Sequence, residues 1–178
     1  MSQKVIFDTN FLTYFSDSNG SYAFEPEDEN DLLDERFDYL LERLSAADTE
    51  IIIPAPVLAE VLSAKHKNQG TIIDLINEAD NMNIIAFDAR QSIEFGYLFR
   101  NTNRDSDHSR NAFKFDLLIL ACAKVHGVSV IYTADKQLRR KAERMEIQAY
   151  SFQDLERIPS NSPKTSEDRD LFSIECQR

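Results

Sequence analysis

The sequence is short of the residues that staple or anchor a chain. Among 178 residues there are two cysteines, Cys122 and Cys176, and neither sits in a CxxC pair. That excludes a disulfide framework and leaves a core thiol and a tail thiol, as expected of a reducing cytoplasm. No apolar run approaches the ~20 residues that span a bilayer, so no membrane partner is expected. The opening "MSQKVIFDTN" enters an apolar stretch without the charged and apolar regions of a secretory leader. No repeat of the solenoid kind is present. The histidines His66, His108 and His126 lack metal-ligand spacing, and His126, beside a helix end, reads as structural.

Basic residues are scarce in one region only. The net charge is −11, which on its face disfavours a phosphate backbone as partner. Residues 1–50 hold 3 Lys/Arg against 13 Asp/Glu, much of the excess in "EPEDENDLLDE" over 25–35. Residues 100–144 hold 10 against 5, so a basic face is compatible with an acidic protein. Apolar residues make up 42% of the chain, enough for one domain with a real core. The expected organisation is one unit over 1–158, with an acidic insertion near 17–35, and a C-terminal tail over 159–178.

Periodicity alternates along the chain. "KVIF" (4–7) reads as a buried strand and "NFLTYF" as the start of a helix. Residues 17–31 carry Gly, Pro and acid and read as a loop. Leu32, Leu33, Phe37, Leu40, Leu41 and Leu44 have amphipathic helix spacing. "EIIIPAP" is a strand ended by Pro54, and Pro56 suits the first turn of the helix "VLAEVLSAKHK". A helix after Gly70, the strand "MNIIAFD" and the helix "ARQSIEFGYLFRN" follow. Residues 101–113 read as a polar loop, and "KFDLLILACAKVHG" as an apolar helix closed by Gly127. "VSVIYTAD" is a strand, "KQLRRKAERM" a helix and "EIQAYSF" a short last strand. Alternating strands and helices predict an α/β fold, a three-layer α/β/α sandwich with a central, mainly parallel sheet. Ligands of such sheets bind at the carboxyl ends of the strands.

Four acids interrupt apolar surroundings. Asp8 and Asp135 follow strands, Glu60 sits in "PVLAEVLS", and Asp116 opens "FDLLILACA". All four belong to one edge of the sheet and are read as a uniformly acidic cup. Crowded carboxylates raise one another's pKa, and a divalent cation removes the conflict. Oxygen-only ligands suit Mg²⁺ or Mn²⁺ rather than zinc. Such a site activates water for in-line attack at phosphorus. Taken singly, Asp8 and Asp135 are equally readable as helix N-caps, Asp116 as an acid favouring a helix dipole, and Glu60 as half of a buried ion pair. Asn10 and Thr133 are supporting candidates, able to orient a carboxylate or bond a phosphate; each also fits plain turn chemistry.

At "VIFDTNFL" (5–12), "PAPVLAEVLS" (54–63) and "FDLLILACAKVHGVSVIYTAD" (115–135) with the following "KQLRRKAE", the sequence resembles PIN-domain proteins, most of all the VapC-type toxin ribonucleases. The resemblance spans most of residues 4–150. It implies a PIN-like sandwich and an Mg²⁺- or Mn²⁺-dependent endoribonuclease. It also implies a homodimer and a small antitoxin partner. Asp8, Glu60, Asp116 and Asp135 are its catalytic and metal-holding residues, with Asn10 and Thr133 in support. Arg100, Arg104, His108, Arg110 and Lys114 before Asp116, and Lys136, Arg139 and Arg140 after Asp135, are then the candidates for RNA phosphates. The chain is longer and more acidic than a minimal toxin of this kind. A phosphatase with Asp8 as nucleophile wants a second acid at position 10, which is Asn. A phospho-receiver wants a lysine on a late strand, which "VIYTAD" lacks. The remaining alternatives are an inactive PIN scaffold that binds RNA or protein and a structure-specific DNA nuclease.

Overall fold

The computed structural model describes residues 2–15, 20, 22–63, 69–106 and 109–159. His66, His108, Cys176 and the expected tail beyond Pro159 lie outside the described residues.

Apolar, β-branched runs form the sheet. Its strands are β1 (Lys4–Phe7), β2 (Glu50–Pro54), β3 (Met82–Ile85), β4 (Val130–Tyr132) and β5 (Gln148–Tyr150). Every pairing is parallel and the order is β3-β2-β1-β4-β5. Ile6 of β1 stands opposite Ile52 on one side and Ile131 on the other, and none of the three is exposed. Continuous apolar strands are what a sheet covered on both faces requires. The helices are α1 (Thr9–Tyr14), α2 (Leu33–Ala46), α3 (Ala55–Ser63), α4 (Gln69–Glu78), α5 (Ala89–Asn101), α6 (Arg110–His126) and α7 (Lys136–Glu143). They complete the three-layer α/β/α sandwich expected from the alternation. One end of the core is aromatic: Phe11 stacks on Phe152 at 4.1 Å between ring centroids, and Tyr14 and Phe37 pack within 4.7 Å of each other.

Strand order reverses at β1. The chain builds β2 and β3 to one side of it, then returns to place β4 and β5 on the other. A parallel sheet opens a crevice at such a reversal, between the carboxyl ends of the two strands that flank it. Here those strands are β1 and β4, and their ends carry Asp8 and Asp135.

Three expectations need correction. Helix α6 begins at Arg110, not at Lys114: Ser109 Oγ accepts from the Ala112 amide at 3.1 Å, so the polar "SRNAF" is a capped first turn. Asp116 is therefore in the second turn and does not open the helix. Strands β3 and β4 stop at Ile85 and Tyr132, and the aspartates read as strand ends, Asp88 and Asp135, cap the helices that follow. The described part of the acidic stretch is not merely a solvated loop. Arg36, 4% exposed, donates to both oxygens of Asp31 at 2.7 Å and to the Leu155 carbonyl at 2.6 Å, and Arg157 pairs with Asp28 at 2.9 Å. Buried charge of this kind is stable only when fully partnered, and these bonds partner it.

Candidate active site

Asp8 begins the site because β1 ends on it. Its amide continues the sheet ladder, donating to the Tyr132 carbonyl of β4 at 3.0 Å. Its side chain is 5% exposed. Oδ1 accepts from the Thr9 amide at 2.7 Å and Oδ2 from the Thr133 hydroxyl at 2.6 Å. The Thr133 oxygen in turn accepts from the Asp135 amide at 3.0 Å. One fully buried hydroxyl thus ties Asp8 to Asp135. Asp135 uses Oδ1 to cap α7, accepting from the Gln137 and Leu138 amides at 2.6 and 3.1 Å. Capping and site membership are therefore not rivals here. The cap fixes the carboxylate at the crevice and leaves Oδ2 unused by it.

Glu60 reaches the same place from α3. It is exposed, and its Oε2 accepts from the Thr9 hydroxyl, beside Asp8. Asp116 comes from α6 and is 4% exposed. Burial pushes the Asp8 carboxyl up from 3.8 to about 6; the bonds from Thr133 and Thr9 pull it back, and the nearby Glu60 and Asp135 charges raise it again. Burial likewise pushes Asp116 up to about 6, with Lys141 opposing and Asp135 and Glu60 adding to the rise. The Glu60 and Asp135 charges thus act on both Asp8 and Asp116.

Two members were not legible as site residues. Thr9 links Asp8 to Glu60 through its amide and its hydroxyl. Lys141 places Nζ 3.2 Å from Asp116 Oδ2 and is 1% exposed. The cup is therefore not uniformly acidic. The lysine follows Asp135 by six residues inside "KQLRRKAE", a run that reads as solvated helix surface. Only its place on the α7 face it shares with buried Leu138 turns it inward. Asn10 is half-buried, and its main-chain carbonyl accepts from the Thr13 hydroxyl at 3.1 Å.

Of the basic candidates, Arg100, Arg104, Arg110, Lys136 and Arg140 are exposed and Lys114 is half-buried. Arg110 and Lys136 stand at the first positions of α6 and α7, the helices that carry Asp116 and follow Asp135. Arg139 is tied to Asp154 at 3.1 Å.

As the side chains stand, no three described acids or histidines converge on one point closely enough to hold an ion. The chemistry of the donor set nonetheless fits a hard divalent cation: oxygen ligands only, two of them buried carboxylates with raised pKa, faced by a single ammonium.

A parallel α/β/α sandwich with carboxylates at the β1–β4 crevice defines a class of acid-site α/β proteins. Within that class the assignment is direct: the PIN domain family matches residues 5–144, and the chain belongs to it. Solved structures share the fold. The VapBC2 complex of Rickettsia felis bound to a DNA fragment from its promoter has a TM-score of 0.54 at 19% identity, covering 84% of this chain and 98% of that one. VapBC-1 of nontypeable Haemophilus influenzae has 0.52 at 14%, with the same coverage of both. Mycobacterium tuberculosis VapC20, a toxin that cleaves the sarcin-ricin loop, has 0.50 at 14%, covering 77% and 94%. No curated protein sequence matches.

Proposed function

We propose that this chain is a metal-dependent endoribonuclease that hydrolyses RNA phosphodiester bonds. The observation that carries the reading is the junction of Asp8, Asp135 and Thr133 at the β1–β4 crevice, with Glu60 and Asp116 within electrostatic reach. Asp8, Glu60, Asp116 and Asp135 would hold Mg²⁺ or Mn²⁺. When bound, such a cation supplies a hydroxide near neutral pH and stabilises charge on the leaving oxygen. The chain's own residues do the rest. Thr133 and Thr9 keep Asp8 in one orientation. The amides at the start of α7 hold Asp135. Arg110 and Lys136, beside the two acids, position the phosphate backbone without reading sequence.

The likeness to VapBC and VapC structures supports a toxin role, with a small antitoxin protein as partner. A homodimer is the expected assembly, and exposed Ile93 and Tyr97, one turn apart on α5, offer an apolar contact for it. Among the described residues no helix is long and apolar enough to cross a membrane.

The test is cleavage of a pool of structured and single-stranded RNAs with Mg²⁺, Mn²⁺ or EDTA, comparing the protein with Asp116→Asn. Metal-dependent cutting that the variant loses at unchanged melting temperature is the expected result. Cutting that survives EDTA, or survives in the variant, refutes the mechanism.

A further inference from the structure

Lys141 has no place in the mechanism above, yet it is the most deeply buried lysine of the described chain at 1% exposure. Its ammonium donates to Asp116 Oδ2 at 3.2 Å and to the Gln137 carbonyl at 3.2 Å, and it lies 5.7 Å from the centroid of the Phe113 ring. All three lie on α6 and α7, so the lysine also fastens these helices together beside the crevice. Lys141 also lines an open cleft together with Lys124 and Arg144. Burying an ammonium is costly unless it is closely paired, and here the partner is an acid of the site itself.

We propose that Lys141 is a resident counter-ion that competes with the divalent cation for Asp116, so that metal binding displaces its ammonium. This rests on the reading that the four acids hold metal. A cation such as Mg²⁺ sits about 2.0–2.1 Å from a carboxylate oxygen. Asp116 Oδ2 already carries an ammonium at 3.2 Å, and a divalent ion on the same oxygen brings two cations into mutual repulsion. The ammonium then turns towards the cleft, where a phosphate of the bound strand is the partner of matching charge. Lys141 thereby supplies a positive partner to Asp116 while no metal is bound, and it weakens metal binding in exchange. It is a positioning residue, acting on the reaction through Asp116.

The experiment is calorimetry with MnCl₂ on the full-length protein, Lys141→Met and Lys141→Arg, each checked by thermal melting. Lys141→Met is expected to bind Mn²⁺ at least tenfold more tightly, and Lys141→Arg no more tightly than the unaltered protein. Equal or weaker binding by Lys141→Met overturns the inference alone. No binding by any of the three overturns the metal reading, and the inference with it. Should Lys141→Met fail to fold, the unaltered protein decides by ¹⁵N NMR of its lysine ammonium groups during a MgCl₂ titration that calorimetry shows to bind. A Lys141 signal that moves and begins to exchange with water supports displacement. A signal that stays unchanged and protected overturns it.

Discussion

Replacing Thr133 by Val isolates the hydroxyl that joins the two strand-end aspartates. The change keeps the side-chain shape and removes one donor and one acceptor. Asp8 Oδ2 loses a bond of 2.6 Å, and the Asp135 amide loses its acceptor at 3.0 Å. A hydrogen bond to a charged group contributes about 1.5–3 kcal/mol, and a buried unpaired amide costs about 1 kcal/mol or more. With EDTA at pH 7.5 the expected loss is therefore about 3 kcal/mol. The pH dependence follows from the sign of the Asp8 shift. Its folded-state pKa, about 6, lies above the unfolded value of 3.8. The folded chain therefore binds the proton more strongly, and stability falls as pH rises from about 4 through 6. For a shift of this size the fall is at most about 3 kcal/mol from Asp8. Removing Thr133 takes away a contact that lowers this pKa, so the variant's fall is larger and extends to higher pH. At pH 4.5, where Asp8 is mostly protonated in the folded state, the loss from Thr133→Val shrinks to about 1 kcal/mol. Urea denaturation of both proteins at the two pH values, in EDTA, measures it. An equal loss at both pH values refutes the claim that the hydroxyl works by stabilising the Asp8 anion.

Arg36→Ala leaves Asp31 buried without its guanidinium, and a broken buried pair costs about 3–5 kcal/mol; urea midpoints measure it, and a loss below about 1 kcal/mol contradicts the clamp. Arg110→Ala and Lys136→Ala should each weaken RNA binding uniformly across sequences and lower the slope of log K against log salt by about 1, read by fluorescence anisotropy from 50 to 300 mM salt, roughly the range over which phosphate contacts are lost. Arg139→Ala, already paired with Asp154, should change that slope less than either.

The sheet was legible because its signal is local. "KVIF" and "EIII" are β-branched runs that only a doubly covered sheet can bury, and the alternation with amphipathic helices selects a parallel sandwich. The acids were legible because a charge inside an apolar run needs a reason. What escaped was everything decided by tertiary direction. Lys141 sits in a run of mixed charge, and only the packing of α7 on α6 shows that it points inward. Thr9 looks like any first helical residue until α3 brings Glu60 beside it. The first turn of α6 escaped because "SRNAF" has a capping residue but no apolar period. Arg36 looked like one more charge on an amphipathic helix; its partners, Asp31 and the Leu155 carbonyl, include one from 119 residues further along the chain.

The position of β1 has a consequence for the order in which the site is made. Asp8 ends the strand at the centre of the sheet, yet it depends on segments far later in the sequence. The ladder bond from its amide goes to Tyr132, and its carboxylate is oriented by Thr133. A nascent chain that has made β1, β2 and β3 holds Asp8 and Glu60 but has neither β4 nor the α6 and α7 that supply Asp116 and Asp135. Asp116 brings the third of the four carboxylates and Asp135 the fourth. The acid edge is therefore assembled only when β4 and α7 have joined β1, so its geometry is as cooperative as the closing of the sheet itself.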